Sequence, residues 1–247
     1  MTIRAGALAD NAAISMYKIE QNGQFLGGAI LSGFGTKPIP GAICDDAIAR
    51  VVEFTAHHIQ RVINGLLERQ VADMHYAQQV LKAQLQKIND SVNYVNRYMG
   101  QAVYITGVIC YVAHERYLCL PFGGSHAYLW TGTEFTPQKN QNDHYEDPLY
   151  IYDAIGGGNA WTAIFQEGEF PVGSQLLCMT QRPPEGLMEK AMGVLTHTNQ
   201  EIVASTLHEG LPVGNIPRAV LNIAQAAHLS NPNAEGTTEE NTLLEPR

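Results

Sequence analysis

The feature that most limits how this chain can fold is a pair of long, one-faced helical patterns set in tandem between strand-like segments. From Asp45 onward, Ile48, Val52, Thr55, Ile59, Val62 and Leu66 recur at alternating intervals of 4 and 3. That spacing puts them on one side of a helix. A second run over about 71–98 carries Met74, Ala77, Leu81, Leu85, Ile88, Val92, Val95 and Met99 on the same kind of stripe, and Gly100 ends it as a C-cap would. Two helices with one apolar face each, joined by a short link, predict an antiparallel pair laid against another apolar surface.

Strands must supply that surface. Residues 12–34 contain two apolar, β-branched runs broken at Gln21-Asn22-Gly23, a hairpin signal, and a loop comes next at Gly33, Gly35, Pro38, Pro40 and Gly41. After the helices, AVYITGVICYV, RYLCLPF, SHAYLWTG and EFTP predict an antiparallel meander with breaks at His114-Glu115 and Gly123-Gly124. A polar loop is expected over 137–147, then short strands around 149–154, 161–166 and 174–180. Thr198-Asn199-Gln200-Glu201 forms a capping box before a helix, and Asn215-Ile216-Pro217 is expected to open a last helix through Val220, Ile223 and Ala227. The order predicts an α+β fold with antiparallel sheets and segregated helices, without internal repeats.

Composition bounds the function. Apolar residues make up 45% of the 247, enough for a sizeable core. The net charge of −9, with no Lys/Arg cluster, argues against a nucleic-acid partner. No apolar run reaches the ~18 residues of a membrane span, and the first residues lack the apolar stretch of a signal peptide. Cys44, Cys110, Cys119 and Cys178 form no C-x-x-C pair and read as buried thiols. The expectation is a soluble, cytoplasmic protein with no membrane contact. Residues 229–247 hold four Glu against one Arg and few large apolar side chains, so they read as an acidic, disordered tail behind a domain at 1–228.

Several constellations have a chemical reading and a simpler one. Asp143-His144-Tyr145-Glu146-Asp147 could hold a cation but reads better as a solvated loop. Gly123-Gly124-Ser125-His126-Ala127 approaches a G-x-S-x-G elbow, yet AYLW continues as strand where that motif needs a helix. Gly156-Gly157-Gly158-Asn159 lacks the helix or Lys of a phosphate cradle and reads as a flexible turn. His57 and His58 flank the apolar stripe and fit edge packing, and Trp130 and Trp161 fit core or rim positions.

In their order and local motifs, these segments resemble the metal-dependent protein phosphatases of the protein phosphatase 2C type. RYLCLPFGGSHAYLWTGTEFTP, 116–137, resembles the family's "L-Y-V-A-N-V-G-D-S-R-A-Y-L" with the short strand and Thr-Pro after it. Gly123, Ser125, Ala127, Tyr128 and Leu129 match, while Gly124 and His126 replace the motif's Asp and Arg. Asp143-His144 falls where the family often has Asp-His, and Ala154-Ile155-Gly156-Gly157 resembles its "A-L-G-G". Ala29-Ile30-Leu31-Ser32-Gly33-Phe34-Gly35 resembles "V-A-D-G-x-G-G", and 171–177 resembles "P-G-D-x-L-L", with Cys178-Met179-Thr180-Gln181 in place of "L-C-S-D-G". Arg4 lies near the expected first strand, but its surroundings match too poorly to assign it a phosphate-anchoring role.

The resemblance implies a four-layer α-β-β-α sandwich, with two antiparallel sheets face to face and a helix pair outside each. It also implies a site at one end where two Mg²⁺ or Mn²⁺ ions activate a water against a phosphoserine or phosphothreonine ester. Here the sequence departs from the family. The bridging Asp and its Gly align with Ser32 and Gly33, and the Asp of "S-D-G" aligns with Gln181. The C-terminal "D-N" finds no counterpart, and the early "N-E-D" falls only loosely on Ala9-Asp10-Asn11-Ala12. Two divalent ions need several carboxylates. Ser32, Gly33, Gly124 and Gln181 therefore read as vestigial metal-site positions, with no catalytic residue and no cofactor expected. The implied function is an inactive, pseudophosphatase module that binds a phosphoprotein, a kinase or a phosphatase. The alternative is a divergent Mn/Mg-dependent protein serine/threonine phosphatase with relocated ligands, for which Asp45-Asp46 are candidates, although acids in a first helical turn are ordinary dipole partners. A third possibility is a purely structural subunit.

Overall fold

A computed structural model of the chain describes residues 2–9, 14–21, 24–35, 45–99, 102–140, 153–158, 163–195, 200–213 and 218–226. The long helices are present: α1 spans Asp45–Glu68 and α2 spans Met74–Met99. The second starts at Met74 because Asp73 caps it, its Oδ1 accepting from the backbone N–H of His75 at 2.9 Å and Tyr76 at 3.2 Å. Gln70, at φ 51°, closes the first helix, and the N–H groups of Gln70 and Val71 return to the carbonyls of Leu67 and Leu66.

Ten strands form two five-stranded antiparallel sheets among the described residues. One has the order β2 (Ile14–Gln21), β3 (Gln24–Gly35), β4 (Val103–Ala113), β5 (Arg116–Phe122), β8 (Gln166–Glu169). The other runs β1 (Thr2–Ala9), β10 (Ala219–Ala226), β9 (Gln175–Met179), β6 (His126–Trp130), β7 (Phe135–Gln138). Helices α1 and α2 cover the first sheet, burying Ile59, Ile63, Leu81 and Leu85 against Leu31, Ile105 and Ile109. Helices α3 (Leu187–Leu195) and α4 (Gln200–Gly210) cover the second, with Leu187, Val203 and Leu207 against Leu177, Met179 and Val220. Between the sheets lie the opposite strand faces: Ile30, Val108, Leu129, Leu176, Leu221 and Ile223. The period-2 alternation of each strand thus feeds two cores, and the result is the expected four-layer α-β-β-α sandwich. No described helix is long and apolar enough to cross a membrane.

Four expectations need correction. The last helix is instead strand β10, which pairs with both β1 and β9. Because it is central and covered on both sides, its sequence is a near-continuous apolar run without alternation. Of its two polar residues, Asn222 and Gln225, both buried, Asn222 donates to the side-chain oxygens of Gln175 and Gln200. The four-strand meander is two hairpins in different sheets. Strand β5 pairs with β4 and β8, β6 pairs with β7 and β9, and the chain crosses between layers at Gly123-Gly124. The expected polar loop begins inside β7, and Gln138 and Asn140 are buried. Finally, the strand expected at 161–166 is β8 at Gln166–Glu169, with 163–165 in no strand, while 149–152 of the one expected at 149–154 lie outside the described residues. The turn at 22–23, the loop at 36–44, Asp143–Asp147, Trp161, Asn215–Pro217 and the tail at 229–247 lie outside the described residues.

Candidate functional site

One end of the sandwich collects the ends of β3, β5 and β9 and the starts of β4, β6 and β10. Ser32 sits near the end of β3, directly opposite Thr106 on β4. Both have no solvent exposure. Their even-numbered neighbours Ile30 and Val108 line the inter-sheet core, so by strand parity these two side chains also face the space between the sheets. Neither hydroxyl has a hydrogen-bond partner among the described residues.

The next residues at this end come from the β5–β6 crossing. Gly123 has φ +63°, and a Cβ there would lie 2.3 Å from Thr106 Cγ2, so only glycine lets the chain turn against β4. Asn140 Nδ2 fixes the crossing by donating to the carbonyls of Gly123 at 2.9 Å and Ser125 at 2.7 Å. Ser125 Oγ donates to the Thr180 carbonyl at 3.4 Å, and the Ala219 N–H donates to Thr180 Oγ1 at 2.8 Å. Gln181 comes directly after Thr180 and is 8% exposed.

The fold thus brings Ser32, Gly124 and Gln181, which are far apart in sequence, to one end. Gly33 belongs there only by sequence. It faces α1, where a Cβ would lie 2.3 Å from Val52 Cγ2 and 2.7 Å from Ile48 Cγ2. Its absent side chain is a helix-packing requirement. Gly124 is the reverse case, since a Cβ there meets nothing within 4 Å. Thr106 and Asn140 escaped the sequence reading. A threonine inside a strand run and an asparagine in a polar stretch carry no local signal of burial.

Beside this end, the glycine turn is clasped rather than flexible. Asn89 Oδ1 accepts from Gly156 N–H and its Nδ2 donates to the Gly158 carbonyl, both at 2.9 Å. Asn93 also donates to Gly158, and Asn96 donates to Val103 and Gly156. The N–H of Gly157 donates to Ala154. With the N–H groups of Gly156 and Gly157 so engaged, the turn is not a phosphate cradle. His57 is exposed and His58 half-buried against Phe54, and Trp130 is buried beside Phe135, as edge and core roles require.

A pair of Mg²⁺ or Mn²⁺ ions would need several anionic oxygens here to offset about four positive charges. Among the described residues, the side-chain donors placed at this end are Ser32, Thr106, Ser125, Asn140, Thr180 and Gln181, all neutral. Asp153, 5% exposed and two residues from the Ile105–Ile155 bridge, is a single acid. Among the described residues, only Cys110, Cys119 and Cys178 group three ligand atoms closely enough for one ion. Asp10 lies outside those residues. The described donor set does not fit a two-ion centre.

No model of a protein family matches the chain, and no curated protein sequence does. Solved structures do. PppA, described as a key regulatory component of T6SS in Pseudomonas aeruginosa, superposes with a TM-score of 0.68 at 15% identity, over 91% of this chain and 98% of that one. A serine/threonine phosphatase of S. agalactiae gives 0.62 at 13% identity, over 90% and 99%. The catalytic domain of the phosphatase PstP, solved with 2 manganese ions, gives 0.59 at 16% identity, over 91% and 99%. At such identities the likeness is one of architecture: the chain has the fold of the metal-dependent, PPM-type serine/threonine phosphatases.

Proposed function

We propose that this chain is a phosphatase-fold protein without two-metal hydrolysis, serving as a regulatory module that binds another protein. The observation that carries this reading is Ser32. It lies where the resemblance places the aspartate shared by both ions, yet it is a neutral hydroxyl with no exposure and no described hydrogen-bond partner. A ligand bridging two divalent ions has to be an anion, because a hydroxyl neither offsets their charge nor replaces their hydration. Gln181 and Gly124 add no charge at the neighbouring strand ends. The link from α4 to β10, LPVGNIPR at 211–218, contains no Asp or Glu in any register. The module would occupy 1–228, with the acidic tail at 229–247 outside it.

PppA's description as a regulatory component supports a partner-binding role. The partner classes that fit the former substrate face are a phosphoprotein, a kinase or an active phosphatase. The test is hydrolysis of phosphoserine and phosphothreonine peptides across a Mn²⁺ series, for which release at the no-enzyme background is expected. Metal-dependent turnover would overturn the reading in favour of a divergent phosphatase using acids such as Asp10, Asp45, Asp46 or Asp143. The binding half is tested by Ser32→Arg with Gln181→Arg. Partners captured by the native chain should be lost, and an unchanged set would mean that the cleft binds none of them.

A further inference from the structure

We propose that Cys110, Cys119 and Cys178 form a site for one thiophilic, three-coordinate metal ion, and that monovalent copper fits it best. The thiols come from β4, β5 and β9, so the site would tie the two sheets together across their shared core. Cys110 and Cys119 are direct cross-strand partners, and Cys178 meets them from the facing sheet. All three sulfurs lie within 4.8 Å of one another, with Cys110 Sγ and Cys178 Sγ at 3.5 Å. Three metal–sulfur bonds of about 2.3 Å in a plane place the sulfurs about 4 Å apart. The trio is therefore already within a fraction of an ångström of that triangle.

The surroundings choose the ion. The three side chains are fully buried and packed among Ile30, Val108, Leu129, Leu176 and Leu221. No described His, Asp or Glu is grouped with them. Magnesium, calcium and manganese want oxygen ligands. Structural zinc is almost always four-coordinate, and a fourth donor is lacking among the described residues. Soft thiolates favour monovalent copper, which is stable with three ligands. On binding, the S–H bond of each coordinating cysteine breaks, its proton leaves to solvent, and copper bonds to the three thiolates with no change of oxidation state. A disulfide would use only two of the three sulfurs. Plain apolar packing of thiols predicts no metal at all.

Because the thiols are sealed in, the full chain is refolded without oxygen in the presence of one equivalent of Cu(I) held by bicinchoninate. The expected result is withdrawal of one equivalent from the dye. Copper-edge absorption should show three sulfur neighbours at about 2.3 Å, and the thermal midpoint should rise. Cys178→Ala should weaken binding at least tenfold, while Cys44→Ala should leave it unchanged. No copper withdrawn, oxygen or nitrogen neighbours at the metal, or equal binding by Cys178→Ala would each overturn the proposal. The absorption measurement on the native chain keeps it testable if Cys178→Ala does not fold.

Discussion

Replacing Ser32 with aspartate restores a carboxylate at the position where metal chemistry would need one, and the structure sizes the consequence. Ser32 has no exposure and lies opposite an equally buried Thr106, whose hydroxyl has no partner among the described residues. Unless a cation pairs it, a carboxylate buried there is an uncompensated charge. Burial of that kind raises a carboxyl pKa by about 3 units, from about 3.9 to about 7. At about 1.4 kcal/mol per unit, Ser32→Asp should lose about 4 kcal/mol at pH 7. A folded pKa above the unfolded one leaves stability untouched below the unfolded value and removes it as pH rises toward the folded one. The loss should therefore shrink to about 1.5 kcal/mol at pH 5. Ser32→Asn has the same shape without the charge and isolates the steric part. Urea unfolding followed by tryptophan fluorescence at the two pH values, without added metal, measures the difference. Equal stabilities of the Asp and Asn variants at pH 7 would refute the picture of a dry, uncharged strand end.

Other consequences are smaller or more local. Asn89→Ala removes both bonds to the glycine turn and strands the Gly156 N–H, so urea unfolding should register about 2–4 kcal/mol. Asn93→Ala should cost under about 1 kcal/mol, because the Gly158 carbonyl keeps Asn89. Gly33→Ala drives a methyl into Val52 and Ile48 and should cost about 1–3 kcal/mol, whereas Gly124→Asp, entering open space, should stay within about 0.5 kcal/mol. Burial, reinforced by the nearby Cys119 and Cys110 and opposed by its hydrogen bond to Gln138, pushes the Tyr117 phenol up to about 12. The stability it confers is complete below pH 10 and lost as pH rises toward 12, so Tyr117→Phe should flatten that alkaline decline in unfolding experiments.

The helix pair was legible because one face of each packs on a sheet and the other meets solvent, and that asymmetry writes a 3.6-residue period into the chain. Strand β10 was not, because both its faces are buried. Val220 and Ile223, separated by one helical step, lie on opposite faces of a strand whose every described side chain is covered. The crossing at Gly123 was misread as a hairpin turn, since the strands on either side alternate identically whether they share a sheet or not. At the site, the absence of acids at Ser32, Gly124 and Gln181 was readable from the resemblance. The burial of Thr106 and Asn140, and the packing role of Gly33, depend on neighbours from other elements. The meeting of Cys110, Cys119 and Cys178 likewise exists only once two sheets face each other.

The most direct test of the claim that this phosphatase fold has no two-ion centre is calorimetric titration of the native chain with Mn²⁺ at neutral pH. No saturable heat is expected through the millimolar range. Two ions bound with micromolar affinity would contradict that claim.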